Sequence, residues 1–428
     1  MARMSNLEDD IFSDLSKYEA RAMHGQLPVV WDKAEGATVT DISGNTWIDL
    51  TSTIFVANTG HAHPKVLSAL RSVLDKPLLH TYTFTHEFRR NFLKKLIEST
   101  PEYFEKAFLL SAGTEATECA IKLSRMYGIN IRKDKKAIIS FRGAMHGRTL
   151  GAEMLKGDPK SEEWIGYMDP NIHHLEFPFP NKGRPSFESD IDKLLNLKKL
   201  DPKNITAIFI ESYIGWGAIF FPKAYVQAIE KFAKENDILL VFDEIQSGIG
   251  RTGKFFAYEH YGVTPDLVCF GKGISSGPPL SGVIGSAKIL DIPETGSMSS
   301  THSANPLSCA AGLATLEIVE QEKLVDQARH KGNVLHSELN RIRDRFSDHI
   351  SYIFGKGLVA AIITQNKEGV PDKELATKIC NYCKSHGVLL VHTGRESIKI
   401  GPPLIISEEM LRKAILIIEE AFRIMCEE

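Results

Sequence analysis

Two apolar runs, each closed by a charged residue, constrain this chain more than any other feature. Leu239-Leu240-Val241-Phe242 runs into Asp243-Glu244, and Leu267-Val268-Cys269-Phe270 runs through Gly271 into Lys272. Strands covered on both faces lose their alternating pattern and become continuously apolar, so each run reads as a buried strand of a parallel sheet. A charged residue at the end of such a strand is presented at the rim of the sheet. In open α/β sheets that rim, at the carboxyl ends of the strands, is where ligands bind.

The same pattern recurs along the middle of the chain. Residues 107–111, 137–141, 207–211, 238–243, 267–270 and 283–286 read as strands, with helical periodicity between most of them. That alternation predicts a large doubly wound α/β domain with a mainly parallel sheet. Ahead of it, a short helical entry leads to a β-hairpin over residues 39–50, with Gly44-Asn45 at or beside the turn. After it come a long amphipathic stretch over 316–346, a hairpin-like pair within 353–364 and a terminal helix over 408–426, which suit a smaller α+β domain. The expected organisation is therefore an N-terminal segment 1–55 packing with the small domain, a large domain 56–325 and a C-terminal small domain 326–428.

Composition excludes several function classes. With 51 basic and 54 acidic residues scattered along 428, the net charge is −3, so there is no field to gather nucleic acid or an acidic membrane. The chain start lacks the apolar core of a signal peptide, and no apolar stretch approaches the roughly 20 residues that span a bilayer. A cytoplasmic protein is expected. The six cysteines form no disulfide framework. Cys380 and Cys383 make a C-x-x-C, but no second ligand pair follows, and at helical spacing they merely share a face, so no metal site is read there. Gly248 to Lys254 has the spacing of a nucleotide-binding P-loop. The next residue is Phe255, which cannot hold Mg²⁺ as Ser or Thr would, so that reading fails.

An acid and an amine held together at the rim suit pyridoxal phosphate, because a lysine can form the imine while a carboxylate keeps the pyridine nitrogen protonated. The segment from Phe242 to Gly253, followed by Pro265-Asp266 and Lys272, closely resembles the class III (omega-type) pyridoxal-phosphate-dependent aminotransferases of fold type I, the aspartate aminotransferase-like fold. The resemblance, which runs from about residue 39 to the C-terminal helix, implies that Asp243 pairs with the cofactor nitrogen, Gln246 lies by the ring hydroxyl and Lys272 carries the Schiff base. Ser111-Ala112-Gly113-Thr114-Glu115-Ala116 turns from a strand into a helix, whose first N–H groups and dipole favour a dianion. With the family's S/T-G-S/T-E-A pattern, this implies that Gly113 and Thr114 bind the phosphate. Glu211, closing the run that begins at Ala207, matches a glutamate near the ring hydroxyl, although Ser212 follows where the family has proline.

Phe141 to Thr149 resembles the family's aromatic-H-G-R-T segment, with Met145 in place of the aromatic residue that stacks on the pyridine ring. A thioether also lies well against an aromatic ring. His146 is as well explained as a satisfied core histidine, and no role is given to it beyond shaping the site. Ser299 to Pro306 resembles the family's T-F-x-x-N-P segment, which implies that Thr301 reaches the phosphate of a neighbouring subunit in a homodimer with shared active sites. His302 replaces the aromatic residue there.

The substrate end departs from the ornithine and 4-aminobutyrate branch. There, a second glutamate gates an arginine that precedes P-P-L; this chain has Trp216 and Lys399 at those positions. Lysine is a flexible point charge and arginine a planar fork, so the exchange is not conservative. For Lys399 the more attractive reading is solvent exposure between two inward-facing isoleucines, Ile398 and Ile400, since lysine is almost never buried unpaired. Ile54 and Phe55 match positions that line family substrate pockets. Together these residues point to a large, partly aromatic pocket for a primary amine, an amino sugar or a long ω-amino acid. The expected function is amino transfer to a 2-oxo acid by a ping-pong mechanism. A pyridoxal-phosphate aminomutase or epimerase on the same scaffold and a cofactor-binding pseudoenzyme are the rivals, the former separated by whether turnover needs a 2-oxo acid.

Overall fold

The computed structural model describes residues 2–23, 27–179, 183 and 186–427. The chain forms two compact units, one of residues 65–215 and 219–325, the other of residues 1–64, 216–218 and 326–428. The first boundary thus falls at 64/65 rather than 55/56, and the short stretch 216–218 joins the unit built from the two chain ends.

The unit of residues 65–215 and 219–325 is built on a seven-stranded sheet. Its strands are β1 Lys106–Leu110, β2 Ala137–Phe141, β3 Ile172–Leu175, β4 Ile205–Glu211, β5 Leu239–Asp243, β6 Leu267–Phe270 and β7 Ser281–Gly285, in the order β1-β7-β6-β5-β4-β2-β3. Pairing is parallel from β6 to β3, and only β7 runs against its neighbours. Every residue of β4, β5 and β6 is buried, which is why their sequences are continuously apolar. The helix Gly113–Ile131 lays Ala116, Ala120, Leu123 and Tyr127 against Phe209, Val241, Leu267 and Val283. Each large apolar side chain so buried contributes roughly 1.5–3 kcal/mol. Only β3 escapes the sequence pattern, because His173 and His174 interrupt its apolar run at the sheet edge.

The unit of the chain ends carries two four-stranded sheets. In one, strands Trp31–Glu35, Thr38–Asp41 and Thr46–Asp49 form an antiparallel meander, and Val388–Leu389 adds in parallel beside Ile48 and Asp49. Asp41 Oδ1 accepts from the Ser43 and Asn45 N–H groups at 2.9 and 2.8 Å, and Gly44 takes a φ of +85°, which together make the hairpin turn. In the other sheet, Ile350–Lys356, Val359–Thr364, Ser397–Ile400 and Val391–His392 pair antiparallel. The amphipathic stretch expected over 316–346 is two helices, Pro306–Gln321 and Leu324–Arg345, broken where Lys323 adopts a φ of +52°. Cys380 and Cys383 are buried free thiols on the helix Lys373–Ser385. No described helix is long and apolar enough to cross a membrane.

A left-handed turn breaks the usual chirality of this unit. Ser52, Thr53, Ile54 and Phe55 have φ values of +47°, +52°, +62° and +68°, with no glycine among them. Left-handed helical backbone costs L-residues roughly 1–2 kcal/mol each, so something must hold the turn. Ser52 Oγ donates to Gly401 O at 2.6 Å, and Gly401 N donates to Leu50 O at 2.7 Å. Thr51, which caps the turn, donates its N–H and hydroxyl to Asp49 Oδ1 at 2.7 and 2.6 Å, and Asp49 Oδ2 lies 2.7 Å from His61 Nε2. The Phe55 ring is fully buried against Gly401, where an added Cβ would collide with the ring edge.

Candidate active site

The rim formed by β4, β5 and β6 carries Glu211, Asp243 and, after the last of these strands, Lys272. Asp243 ends β5 beside Glu211, which ends β4, the two standing opposite each other in the register. Both are buried. Asp243 Oδ1 accepts from Ile245 N at 3.0 Å and its Oδ2 lies 2.9 Å from His146 Nδ1. Glu211 Oε2 accepts from Met145 N at 3.0 Å. Burial opposes charge on His146, but the hydrogen bond and the charge of Asp243, with Glu211 beyond, outweigh it and hold the imidazole above its ordinary pKa.

Lys272 opens a single turn after β6, with a φ of +45° that only a firmly determined backbone sustains. Burial pulls its pKa below the usual lysine value, and the charges of Asp243 and Glu211 pull the other way. A desolvated amine of this kind is the standard way to obtain a nucleophilic lysine. Gln246 and Glu211 lie beside Gly215, where a Cβ would sit 3.0 Å from Glu211 Oε1 and 3.6 Å from Gln246 Oε1.

The helix Gly113–Ile131 opens next to the loop that follows Asp243. A Cβ on Gly113 would sit 2.9 Å from Ile245 Cγ2, so only glycine lets the helix end approach this closely. Glu115 turns back to accept from Ser111 N and Ala112 N at 2.9 and 2.8 Å, which caps the approach and leaves the first helical N–H groups pointing outward. The Thr114 hydroxyl lies 2.7 Å from that of Thr149, whose own partner is Glu118. Met145 is exposed at 42%. Thr301 is also exposed, in a loop held by His80 Nε2 at 2.8 Å from Thr301 O and by His86 Nε2 at 2.9 Å from Ala304 O. These contacts tie the Thr301 loop to residues 80–86 and not to the Asp243 cluster.

Two neighbours of this cluster have contacts that the sequence does not announce. His146 is the partner of Asp243, a link between residues far apart in the chain that no local pattern announces. Glu244 is the other. Its carboxylate accepts from Ser247 Oγ at 2.6 Å, Ala257 N at 2.9 Å and Tyr258 N at 2.6 Å, and also from Ser212 Oγ. Burial raises its pKa to about 7 even against these donors. Ser212, where the resemblance expects proline, therefore supplies a hydroxyl that ties the β4 end to the β5 end one residue beyond Glu211 and Asp243.

The residues expected at the substrate end lie in the other unit. Lys399 does not face solvent between its isoleucine neighbours. It is only 4% exposed on the opposite face of the central strand Ser397–Ile400, and its Nζ lies 4.5 Å from the centre of the Phe55 ring. Trp216 carries the guanidinium of Arg395 over its ring, 3.9 Å from the centre, and its carbonyl accepts from Ser397 Oγ at 2.9 Å. Ile54 and Phe55 sit in the left-handed turn.

Residues 19–422 match the family described as Aminotransferase class-III. The chain is 35% identical to the alanine/serine racemase of Pyrococcus horikoshii, over 93% of this chain and 86% of that protein. It is 33% identical to the 5-aminovalerate aminotransferase of Pseudomonas aeruginosa, over 93% of this chain and 94% of that one. Its fold is similar to the crystal structure of the ornithine aminotransferase from Toxoplasma gondii, with a TM-score of 0.88 at 27% identity, covering 100% of this chain and 98% of that chain.

Proposed function

Because this chain belongs to the class III aminotransferases, fold type I enzymes that use pyridoxal phosphate, we propose that Lys272 is its cofactor-bearing and proton-transferring amine and Asp243 the anion that holds the pyridinium proton. What supports this most is the coupling of Lys272 to Asp243 and Glu211 at one rim of adjacent strands. The residues fit the cofactor on other counts as well. Gly113 is forced by close approach at a helix end that suits a phosphate, with Thr114 beside it, and Asp243 is a buried carboxylate that would serve the ring nitrogen.

Pyridoxal phosphate, when bound, supplies an electron sink for the carbon that loses its proton. Lys272 removes that proton and returns it, a task for which a lowered pKa is suited. Asp243 keeps its charge oriented through His146 and the Ile245 N–H. Glu211 and Gln246 would serve the ring hydroxyl, Met145 the ring face and, in a homodimer, Thr301 of a second copy the phosphate. The donor is a primary amine, an amino sugar or an ω-amino acid and the acceptor a 2-oxo acid.

Borohydride reduction of the purified holoenzyme followed by peptide mapping tests the assignment. The cofactor should be recovered on Lys272, and Lys272→Ala should abolish amino transfer; label on another lysine refutes it. The racemase relative gives a second reaction on this scaffold a specific basis. Amine donors should therefore be screened with and without pyruvate or 2-oxoglutarate. Dependence of turnover on the acceptor is expected, whereas inversion of an amino acid without acceptor would make the chain an isomerase.

A further inference from the structure

The helix end that suits a phosphate is backed by a row of polar side chains. The Thr114 hydroxyl lies 2.7 Å from that of Thr149, and Thr149 Oγ1 donates to Glu118 Oε1. Thr114 and Glu118 stand one turn apart on the helix Gly113–Ile131, so both can meet one residue of the facing segment. Glycines in that segment permit the approach: a Cβ on Gly147 would collide with the Thr114 hydroxyl, and one on Gly151 with the Glu118 carboxylate. Thr149 precedes the short helix Leu150–Met154, yet its hydroxyl does not cap it. Glu118 Oε1 accepts from Ala152 N at 3.1 Å in its stead. Thr117, on the long helix, donates its hydroxyl to His146 O at 2.7 Å and fastens the segment at its other end.

Counting protons fixes the direction of the row. A hydroxyl has one proton to donate, and a carboxylate only accepts. Thr149 gives its proton to Glu118, so in the 2.7 Å contact Thr149 is the acceptor and Thr114 the donor. Thr149 N also donates to Thr114 Oγ1, at 3.3 Å. The Thr114 proton therefore points along the row towards Glu118, and only a lone pair of its oxygen is left for a ligand at the helix end.

We propose that Glu118 is a positioning residue that withholds the Thr114 hydroxyl proton from the cofactor phosphate, so that backbone N–H groups hold the phosphate at this helix end and that hydroxyl does not. This deepens the cofactor assignment above and rests on it. A dianion gains nothing from a lone pair, whereas the first N–H groups of a helix have no internal partner and remain available to it. The grip is thus weaker than the same residues could give, which matters most while the cofactor is not bonded to Lys272.

The full-length protein, stripped of cofactor, is titrated with pyridoxal phosphate and with pyridoxal, which lacks the phosphate, and binding is followed by visible absorbance. The Kd for pyridoxal divided by that for pyridoxal phosphate reads the phosphate grip, because damage to the fold or to the bond with Lys272 weakens both ligands. Glu118→Leu and Thr149→Val each release the Thr114 proton and should raise this ratio about tenfold, as a new hydrogen bond to a charged group would. Glu118→Gln can keep an oxygen before Thr149 and Ala152 and should stay closer to wild type than Glu118→Leu does. Adding Thr114→Val should lower the ratio several-fold more in Glu118→Leu protein than in wild-type protein. A ratio that fails to rise in Glu118→Leu or in Thr149→Val overturns the proposal, as does an equal loss from Thr114→Val in both backgrounds. Wild-type protein that binds neither ligand, or binds both equally well, would instead sink the cofactor site assigned above and the proposal with it.

Discussion

His146 Nδ1 and Asp243 Oδ2 meet at 2.9 Å in a fully enclosed corner of the sheet unit. The pairing means that the strand-end carboxylate is held from behind by an imidazole whose pKa it raises. Asp243→Asn removes the charge from this corner. With several kcal/mol of electrostatic stabilisation lost in a dry site, kcat should fall on the order of a thousandfold at about 1.36 kcal/mol per decade. His146→Asn leaves the carboxylate but loosens it, and should cost less. Steady-state rates read beside the visible absorbance of bound cofactor check both; a small loss for Asp243→Asn with cofactor retained would put the pyridinium partner elsewhere.

Ser212 and Glu244 give a pH-dependent expectation whose sign can be worked out. Burial raises the Glu244 pKa in the folded state from 4.5 to about 7, so between those values the folded protein binds more protons than the unfolded one. Its contribution to stability should therefore fall as pH rises from about 4.5 to 7 and level off above. The Ser212 hydroxyl favours the ionised form. Ser212→Ala should cost about 1.5–3 kcal/mol at pH 8, in the range of a hydrogen bond to a charged group, and distinctly less at pH 5. Urea unfolding at the two pH values reads the difference, and an equal cost at both would show that Glu244 does not titrate in this window.

Gly401→Ala tests the left-handed turn. The new Cβ would collide with the Phe55 ring, and both residues are buried. Overpacking of this kind typically costs about 1–3 kcal/mol, and the strain of residues 52–55 is then no longer held. The midpoint of urea unfolding should drop, and Phe55→Ala in the same chain should recover part of the loss by making room, which is a coupling between contacting residues. Independent, additive effects would mean that the two do not touch.

Thr301 tests the shared site. Lys272→Ala and Thr301→Asp should each be inactive, and mixing with reassembly should restore partial activity if each site draws on two copies. A stable, fully active monomer on sizing would end that expectation.

The buried strands and the acid and amine that close two of them are legible in the sequence because a short, unbroken apolar run between turn residues suits a strand covered on both faces. Strand β3 is hidden by His173 and His174 at the sheet edge. The polar strand Trp31–Glu35 is hidden because none of its residues is buried, so no pattern marks it. Ser52–Phe55 has β-branched and aromatic residues and no glycine, and local propensity argues against the left-handed backbone it adopts. Contacts with residues near 400, together with the Thr51–Asp49–His61 bonds, account for it. The same holds for His146 with Asp243, Ser212 with Glu244 and Arg395 with Trp216, in each of which two distant stretches meet. The sequence carries both partners but not their encounter.

The left-handed turn also has a consequence for how the chain is made. Its fasteners, Gly401 O for Ser52 and the backbone against which Phe55 closes, lie close to the C-terminus. A growing chain emerges N-terminus first, at roughly 5–20 residues per second, so Ser52 must wait about 20–70 seconds for its acceptor. During that interval residues 1–64 have neither the strand Val388–Leu389 beside Ile48 nor Gly401 beneath Phe55. The sheet unit, by contrast, is complete by residue 325. A nascent chain stalled short of residue 400 would therefore lack the partners that hold residues 52–55 in their left-handed turn.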